Sequence, residues 1–113
     1  MPLTYVQPPK GKDVLAYLGL DADDPQKAQA DIHAAHIVGL VRLYVRGQGF
    51  DDEDGWVCDA LATVIVTAAA RTLSNPAHAK RLELGNYSEM LAALEGFTLA
   101  ERNVLHHFRR RTA

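Results

Sequence analysis

The sequence predicts a single, mainly α-helical domain. Two long helices, a short N-terminal helix and a C-terminal helix form a small bundle, with a small β-hairpin before the last helix. The chain has 113 residues, which is enough to bury one hydrophobic core. Hydrophobic residues make up 48% and charged residues 23%, a balance typical of globular rather than disordered chains. Two stretches of about twenty residues place apolar side chains at helical spacing.

The N-terminal part predicts an extended arm followed by two helices. Residues 1–11 are rich in proline and should remain extended, because proline removes a backbone donor and fixes φ. A short helix over residues 13–18 should end at Gly19. Asp24 and Pro25 favour the start of the first long helix, which should run to Arg46.

The first long helix carries apolar residues on two stripes. One stripe consists of Ala28, Ile32, Ala35, Gly39 and Leu43. The other consists of Ile37, Val41, Tyr44 and Val45. A glycine inside a helix costs about 1 kcal/mol relative to alanine, so Gly39 predicts close packing at its position.

The second long helix is predicted from Gly55 to Ser74, capped by an acidic residue among 52–54 and ended by Asn75-Pro76. Its middle, residues 61–70, carries almost no charge on any side. A helix that is apolar all round is usually buried all round. In a domain of this size, burial requires either a central position or cover by another subunit.

The remaining segments predict a hairpin and a final helix. Residues 82–90 favour a small hairpin with a turn at Gly85-Asn86, although residues 90–95 could equally form one helical turn. The last helix should span residues 98–111, because Thr98 and Glu101 have the spacing of a capping box. Its basic end, residues 109–111, suits the negative end of the helix dipole.

Side chains that could carry chemistry do not converge on a site. His33 and His36 have a spacing that could bind a metal with Asp31 nearby, but a third strong ligand is missing. Cys58 lies within a predicted helix and is expected to be a buried small side chain. We therefore predict neither an enzyme nor a bound metal or cofactor.

The bulk properties limit the class of protein. The formal net charge of −2 does not favour a general nucleic-acid-binding surface. The N-terminus lacks the pattern of a signal peptide, and charged residues interrupt the apolar stretches, so we expect no membrane span. The basic cluster at residues 106–111 leaves three interpretations open: nucleic-acid binding, a charged helix end, or docking to a protein partner.

The order of several motifs resembles the head-to-tail adaptor (head completion) proteins of actinobacterial tailed phages. Residues 38–50 are similar to the end of their first long helix and its Gly-x-Gly-Phe loop. Residues 60–76 resemble their second long helix, which ends in a similar Asn-Pro. Residues 85–88 and 96–102 resemble their hairpin turn and the start of their final helix. The resemblance covers most of the chain, from about residue 20 to residue 111, with these motifs in the same order.

The resemblance implies a non-enzymatic structural protein of the virion, made in the bacterial cytoplasm. Such adaptors form a ring, usually of twelve subunits, under the portal protein, and they contact the next connector or tail protein. DNA passes through the ring without specific binding. Docking of the final helix to the portal would involve Leu105, Phe108, Arg109 and Arg110. Contacts between subunits are assigned to Ile37, Val41, Tyr44, Ile65 and Ala69. The alternative is a small DNA-binding regulator with a basic C-terminal helix.

Overall fold

The computed structural model describes residues 4–74 and 97–109. Helices account for 62% of these residues, which confirms the predicted mainly α-helical fold class. The predicted hairpin at residues 82–90 lies outside the described residues. The described elements, in chain order, are β1 (Tyr5–Val6), α1 (Gly11–Tyr17), α2 (Lys27–Val45), β2 (Val57–Cys58), α3 (Asp59–Ser74) and α4 (Leu99–Phe108).

A two-stranded antiparallel sheet joins the N-terminal arm to the start of α3. Tyr5 lies opposite Cys58, and Val6 lies opposite Val57. The placement of Val57 and Cys58 inside the second long helix was therefore wrong. Both residues are extended because their backbones pair with the arm, and the backbone N–H of Asp59 donates to the carbonyl of Thr4 at 2.9 Å. The helix begins only after these contacts.

Helices α1 and α2 begin and end close to the predicted positions. In α1, the Asp13 carboxylate accepts the backbone N–H of Lys10 at 2.8 Å, which supplies a partner for a free donor at the helix start. Helix α2 ends at Val45, and Arg46 takes the left-handed conformation, with φ of 58°. The chain then returns through a loop in which the Cys58 N–H donates to the Gly49 carbonyl at 2.8 Å.

Helix α3 is the central element of the described part of the chain. It packs against α1, α2, α4 and both strands. Its fully or almost fully buried residues are Leu61, Val64, Ile65, Ala68, Ala69, Ala70 and Thr72. The sequence left two ways to bury the apolar surface of this helix, a central position in the chain or cover by another subunit. The central position of α3 accounts for most of that burial.

The acidic loop before β2 differs from the sequence-based expectation. The acidic residues 52–54 do not cap α3, because β2 separates the loop from that helix. Instead, the Asp51 carboxylate accepts the backbone N–H of Glu53 at 2.7 Å, which forms a local turn.

Gly39, inside α2, also differs from the expectation, because a Cβ atom added there would meet no atom within 4 Å. The predicted close packing at Gly39 is therefore absent within the described chain.

Helix α4 begins as the sequence predicted. The Glu101 backbone N–H donates to the Thr98 hydroxyl oxygen at 3.1 Å, and the Glu101 carboxylate accepts the Thr98 backbone N–H at 2.9 Å. The described helix ends at Phe108, and Arg109 is extended. Among the described helices, none combines the length and the apolar character needed to cross a bilayer.

Substitution Gly49→Ala should lower the free energy of unfolding strongly. Gly49 has φ of +83°, and an added Cβ would lie 2.7 Å from Leu61 Cδ1 and 3.3 Å from Cys58 Sγ. We expect a loss of about 2–4 kcal/mol from backbone strain and overpacking together. Gly47→Ala is the matched control, because Gly47 has φ of +79° with no atom within 4 Å; it should cost only about 1–2 kcal/mol. Equal losses in urea unfolding would contradict the packing argument.

Candidate functional site

The outward stripe of α2 is an uncovered apolar surface. Ile32 and Leu43 are 56% and 55% exposed, and the three smaller residues between and beside them are also exposed. We define the outer stripe as Ala28, Ile32, Ala35, Gly39 and Leu43. The opposite side of the same helix is buried in the core. Helix α2 therefore presents apolar side chains to the protein interior and to solvent.

The residues assigned to subunit contacts occupy the interior instead. Ile37, Val41, Tyr44, Ile65 and Ala69 are all between 0% and 3% exposed. They pack in the single core of the chain, between α2 and α3. The structure thus leaves none of the five at its surface for a neighbouring subunit to contact. Ile32 and Leu43 of the outer stripe are among the large apolar residues exposed on the described chain.

The residues assigned to portal docking are in three different situations. Leu105 is buried at 1% exposure and anchors α4 to the core. Phe108 and Arg109 are half-buried at the end of the helix. Arg110 lies outside the described residues. Docking that uses this helix end therefore has Phe108 and Arg109 available, while Leu105 acts as a core residue.

An aromatic and basic cluster fixes the end of α4 against α2. The Tyr44 hydroxyl lies 2.8 Å from His106 Nδ1, and the Arg109 guanidinium lies 4.6 Å from the centre of the Tyr44 ring. Such a cation–π contact is attractive because the ring face is electronegative. The Arg109 side chain thus contacts α2 of the same chain.

A partly buried ion pair connects α4 to α3. Arg71 Nη2 lies 2.6 Å from Glu101 Oε1, and Nη1 lies 3.3 Å from Oε2. The Thr67 hydroxyl also donates to Glu101 Oε2. The capping role of Glu101 was predicted, but Arg71 was not singled out, because the two residues are thirty positions apart in sequence. Only the folded chain brings them together.

Opposing effects act on the pKa of Glu101. Burial disfavours the charged form and would raise the pKa. The hydrogen bonds from Arg71, Thr67 and the Thr98 backbone, together with the charge of Arg71, lower it by more, so the pKa lies below its ordinary value. Glu101 is therefore an ionised carboxylate that holds the start of α4 against the C-terminal half of α3.

A groove of about 520 Å³ lies between α3 and α4. We call it the α3–α4 groove and define it by its lining residues, Tyr17, Ala60, Thr63, Val64, Thr67, Arg71, Thr98, Ala100, Glu101 and Val104. Most of its surface is apolar, and the Arg71–Glu101 pair lies at one end. Tyr17, which is 60% exposed, contributes an aromatic side chain from α1. An apolar groove of this kind is suited to an apolar side chain or helix face.

The candidate metal and nucleophile residues take structural positions. His33 is buried and His36 is half-buried, while the Asp31 carboxylate accepts the backbone N–H of Gly11 at 2.7 Å. In the described ranges, no three His, Cys, Asp or Glu side chains are grouped so that they could hold a metal ion. Cys58 is buried, and this burial raises the pKa of its thiol, so the neutral form dominates.

Acidic and aromatic residues near the loops also have local roles. The Asp24 carboxylate accepts the backbone N–H of Gln26 at 2.9 Å, close to the start of α2. Phe50 is buried and lies under the Arg42 guanidinium, 5.3 Å from the ring centre. Trp56 is partly exposed. These contacts stabilise turns and helix ends.

Comparison with known proteins does not identify a family. No protein-family model matches the chain, and no curated protein or solved structure shows significant similarity to it.

Substitution Glu101→Gln should destabilise the fold at neutral pH. Because the folded-state pKa is lowered, the carboxylate stabilises the fold above its unfolded pKa of about 4.3. This contribution is lost as the pH falls through the lowered pKa. We expect a deficit of about 1–3 kcal/mol at pH 7 that becomes smaller towards pH 3, measured by urea unfolding. Glu53→Gln, at an exposed loop position, is the control and should match wild type. A pH-independent deficit would contradict this role.

Proposed function

We propose that this protein is a head-to-tail adaptor of a tailed phage. Copies of the chain form a ring, of twelve subunits in the virion, beneath the portal protein. The ring extends the channel through which DNA passes and offers a surface to the next connector or tail protein. The protein is a structural component without a catalytic site or cofactor.

The outer stripe of α2 is the observation on which this proposal rests. Two large aliphatic residues, Ile32 and Leu43, are more than half exposed on one helix face. Contiguous exposed apolar surface on a small protein usually marks an interaction site. In a closed ring, each subunit has a neighbour on both flanks, so a flank that is apolar in the single chain becomes covered.

Gly39 gives independent support for a contact on this face. It lies in the middle of the outer stripe, where glycine costs about 1 kcal/mol relative to alanine. The packing of the single chain gives no reason for this cost, because a Cβ there would touch nothing within 4 Å. A neighbouring backbone that approaches the helix closely would supply the reason.

The order of motifs directs the proposal to a phage adaptor rather than to another ring-forming protein. The described helices follow the order that the resemblance implies: a long helix, a Gly-x-Gly-Phe loop, a second long helix and a capped final helix. Portal docking would then use Phe108, Arg109 and Arg110. Leu105 would support the docking helix from the core.

Substitution of Ile32 and Leu43 by Glu should prevent ring formation while the monomer remains folded, because both side chains are exposed in the single chain. The measurement is native mass spectrometry of the protein, alone and with the portal protein encoded in the same genome. We expect wild type to form a ring on the portal and the double variant to remain monomeric. Ala22→Glu is the control, because Ala22 is exposed in the turn before α2; it should assemble like wild type.

A strictly monomeric wild type that also fails to bind the portal would overturn the adaptor function. A gel shift at modest salt tests the regulator alternative directly. Tight binding of duplex DNA by a monomer or dimer would favour a regulator, since an adaptor should bind duplex only weakly.

A further inference from the structure

Two separate apolar surfaces are exposed on the described chain. One is the outer stripe of α2, and the other is the α3–α4 groove. A ring needs a heterologous contact, in which one surface of a subunit meets a different surface of the next. A chain with two unlike apolar surfaces can satisfy this requirement without any further partner.

The two surfaces lie on different sides of the α2–α3 layer. The outer stripe points away from the core, since the opposite side of α2 holds the buried residues. In α3, Thr63 lines the groove and is exposed, whereas Ile65 is buried in the core. Consecutive helical residues point about 100° apart, so residues two positions apart point in nearly opposite directions and the groove opens away from the core-facing side of α3. A single chain therefore cannot place its own outer stripe in its own groove.

The dimensions of the two surfaces match. Ile32 and Leu43, the large residues of the outer stripe, are about 16 Å apart along the axis of α2. Ala60 and Arg71, at the two ends of the α3 side of the groove, are also about 16 Å apart. A groove of about 520 Å³ is large enough to accept several aliphatic side chains. The small residues of the outer stripe would allow the two helices to approach closely.

Charges near the two surfaces define one orientation. Arg42 is exposed beside Leu43 at the C-terminal end of the outer stripe, and Asp59 is exposed beside Ala60 at one end of the groove. Opposite charges meet when Leu43 lies at the Ala60 end, so that α2 of one subunit runs antiparallel to α3 of the next. The chain itself returns from α2 into α3 through a short loop. When all subunits are related by rotation about an axis parallel to the helices, α2 of one subunit and α3 of the next therefore run in opposite directions as well.

We infer that the α3–α4 groove binds the outer stripe of α2 from a second copy of this chain. The contact rests on the proposed ring function and specifies which two surfaces form it. Ile32 and Leu43 of one subunit pack against Tyr17, Ala60 and Val104 of its neighbour. The Arg71–Glu101 pair holds α4 in position as one wall of the groove.

Cross-linking between single-cysteine variants tests this pairing. Ile32→Cys lies on the outer stripe and Ala100→Cys on the rim of the groove at its Arg71 end, and both positions are exposed. The native Cys58 is buried and does not compete for the reagent. The two full-length variants, which differ in mass by a tag, are mixed with the portal protein from the same genome and treated with a short bismaleimide. We expect a cross-link between the two variants and none within either variant alone.

Each outcome has a defined meaning. Glu53→Cys, in the exposed acidic loop, replaces Ile32→Cys as the control and should give no cross-link with Ala100→Cys. Rings that form without the expected cross-link would overturn the pairing and leave the adaptor function standing. Cross-linking of Ile32→Cys to itself would indicate a two-fold symmetric contact and would also overturn the pairing. Failure of wild type to assemble on the portal would overturn both the function and the pairing.

Discussion

Burial of α3 is the constraint on which the rest of the structure depends. Its middle is apolar on nearly every side, and leaving that surface in water would cost about 25 cal/mol for each Å² exposed. Helices α1, α2 and α4 and the two short strands enclose it. The N-terminal arm becomes ordered for the same reason, because its strand pairs with the residues that lead into α3.

Enclosure of α3 leaves part of the apolar surface of α2 exposed in the described part of the chain. One side of α2 completes the core, and the other side presents Ile32 and Leu43 to solvent. Helix α4 packs against both α2 and α3, and its start is held against α3 by the Glu101 carboxylate, which serves both as part of the cap and as the partner of Arg71. The groove that results lies where a neighbouring subunit could reach it. In the described chain, the Arg71–Glu101 pair and the capping box orient helices.

Local signals explain which elements were predictable from sequence. The capping box at Thr98 and Glu101 acts within one helical turn, so its sequence pattern and its geometry coincide. Helices α2 and α3 were recognised from the spacing of their apolar residues. Val57 and Cys58 were assigned to the wrong element because their strand depends on Tyr5 and Val6, more than fifty residues away. The Arg71–Glu101 pair was missed for the same reason, because the two residues are thirty positions apart and no local pattern in the sequence links them.

The sequence by itself determined the fold class, the main helices and the presence of two apolar stripes on α2. Only the tertiary structure decided which stripe faces the core. Periodicity shows that residues share a face, but burial depends on where the other helices lie. The stripe of Ile37, Val41 and Tyr44 faces α3 and is buried, and the stripe of Ile32 and Leu43 faces solvent. The surface available to a partner is therefore a property of the packed chain, because it is what remains after α3 has been enclosed.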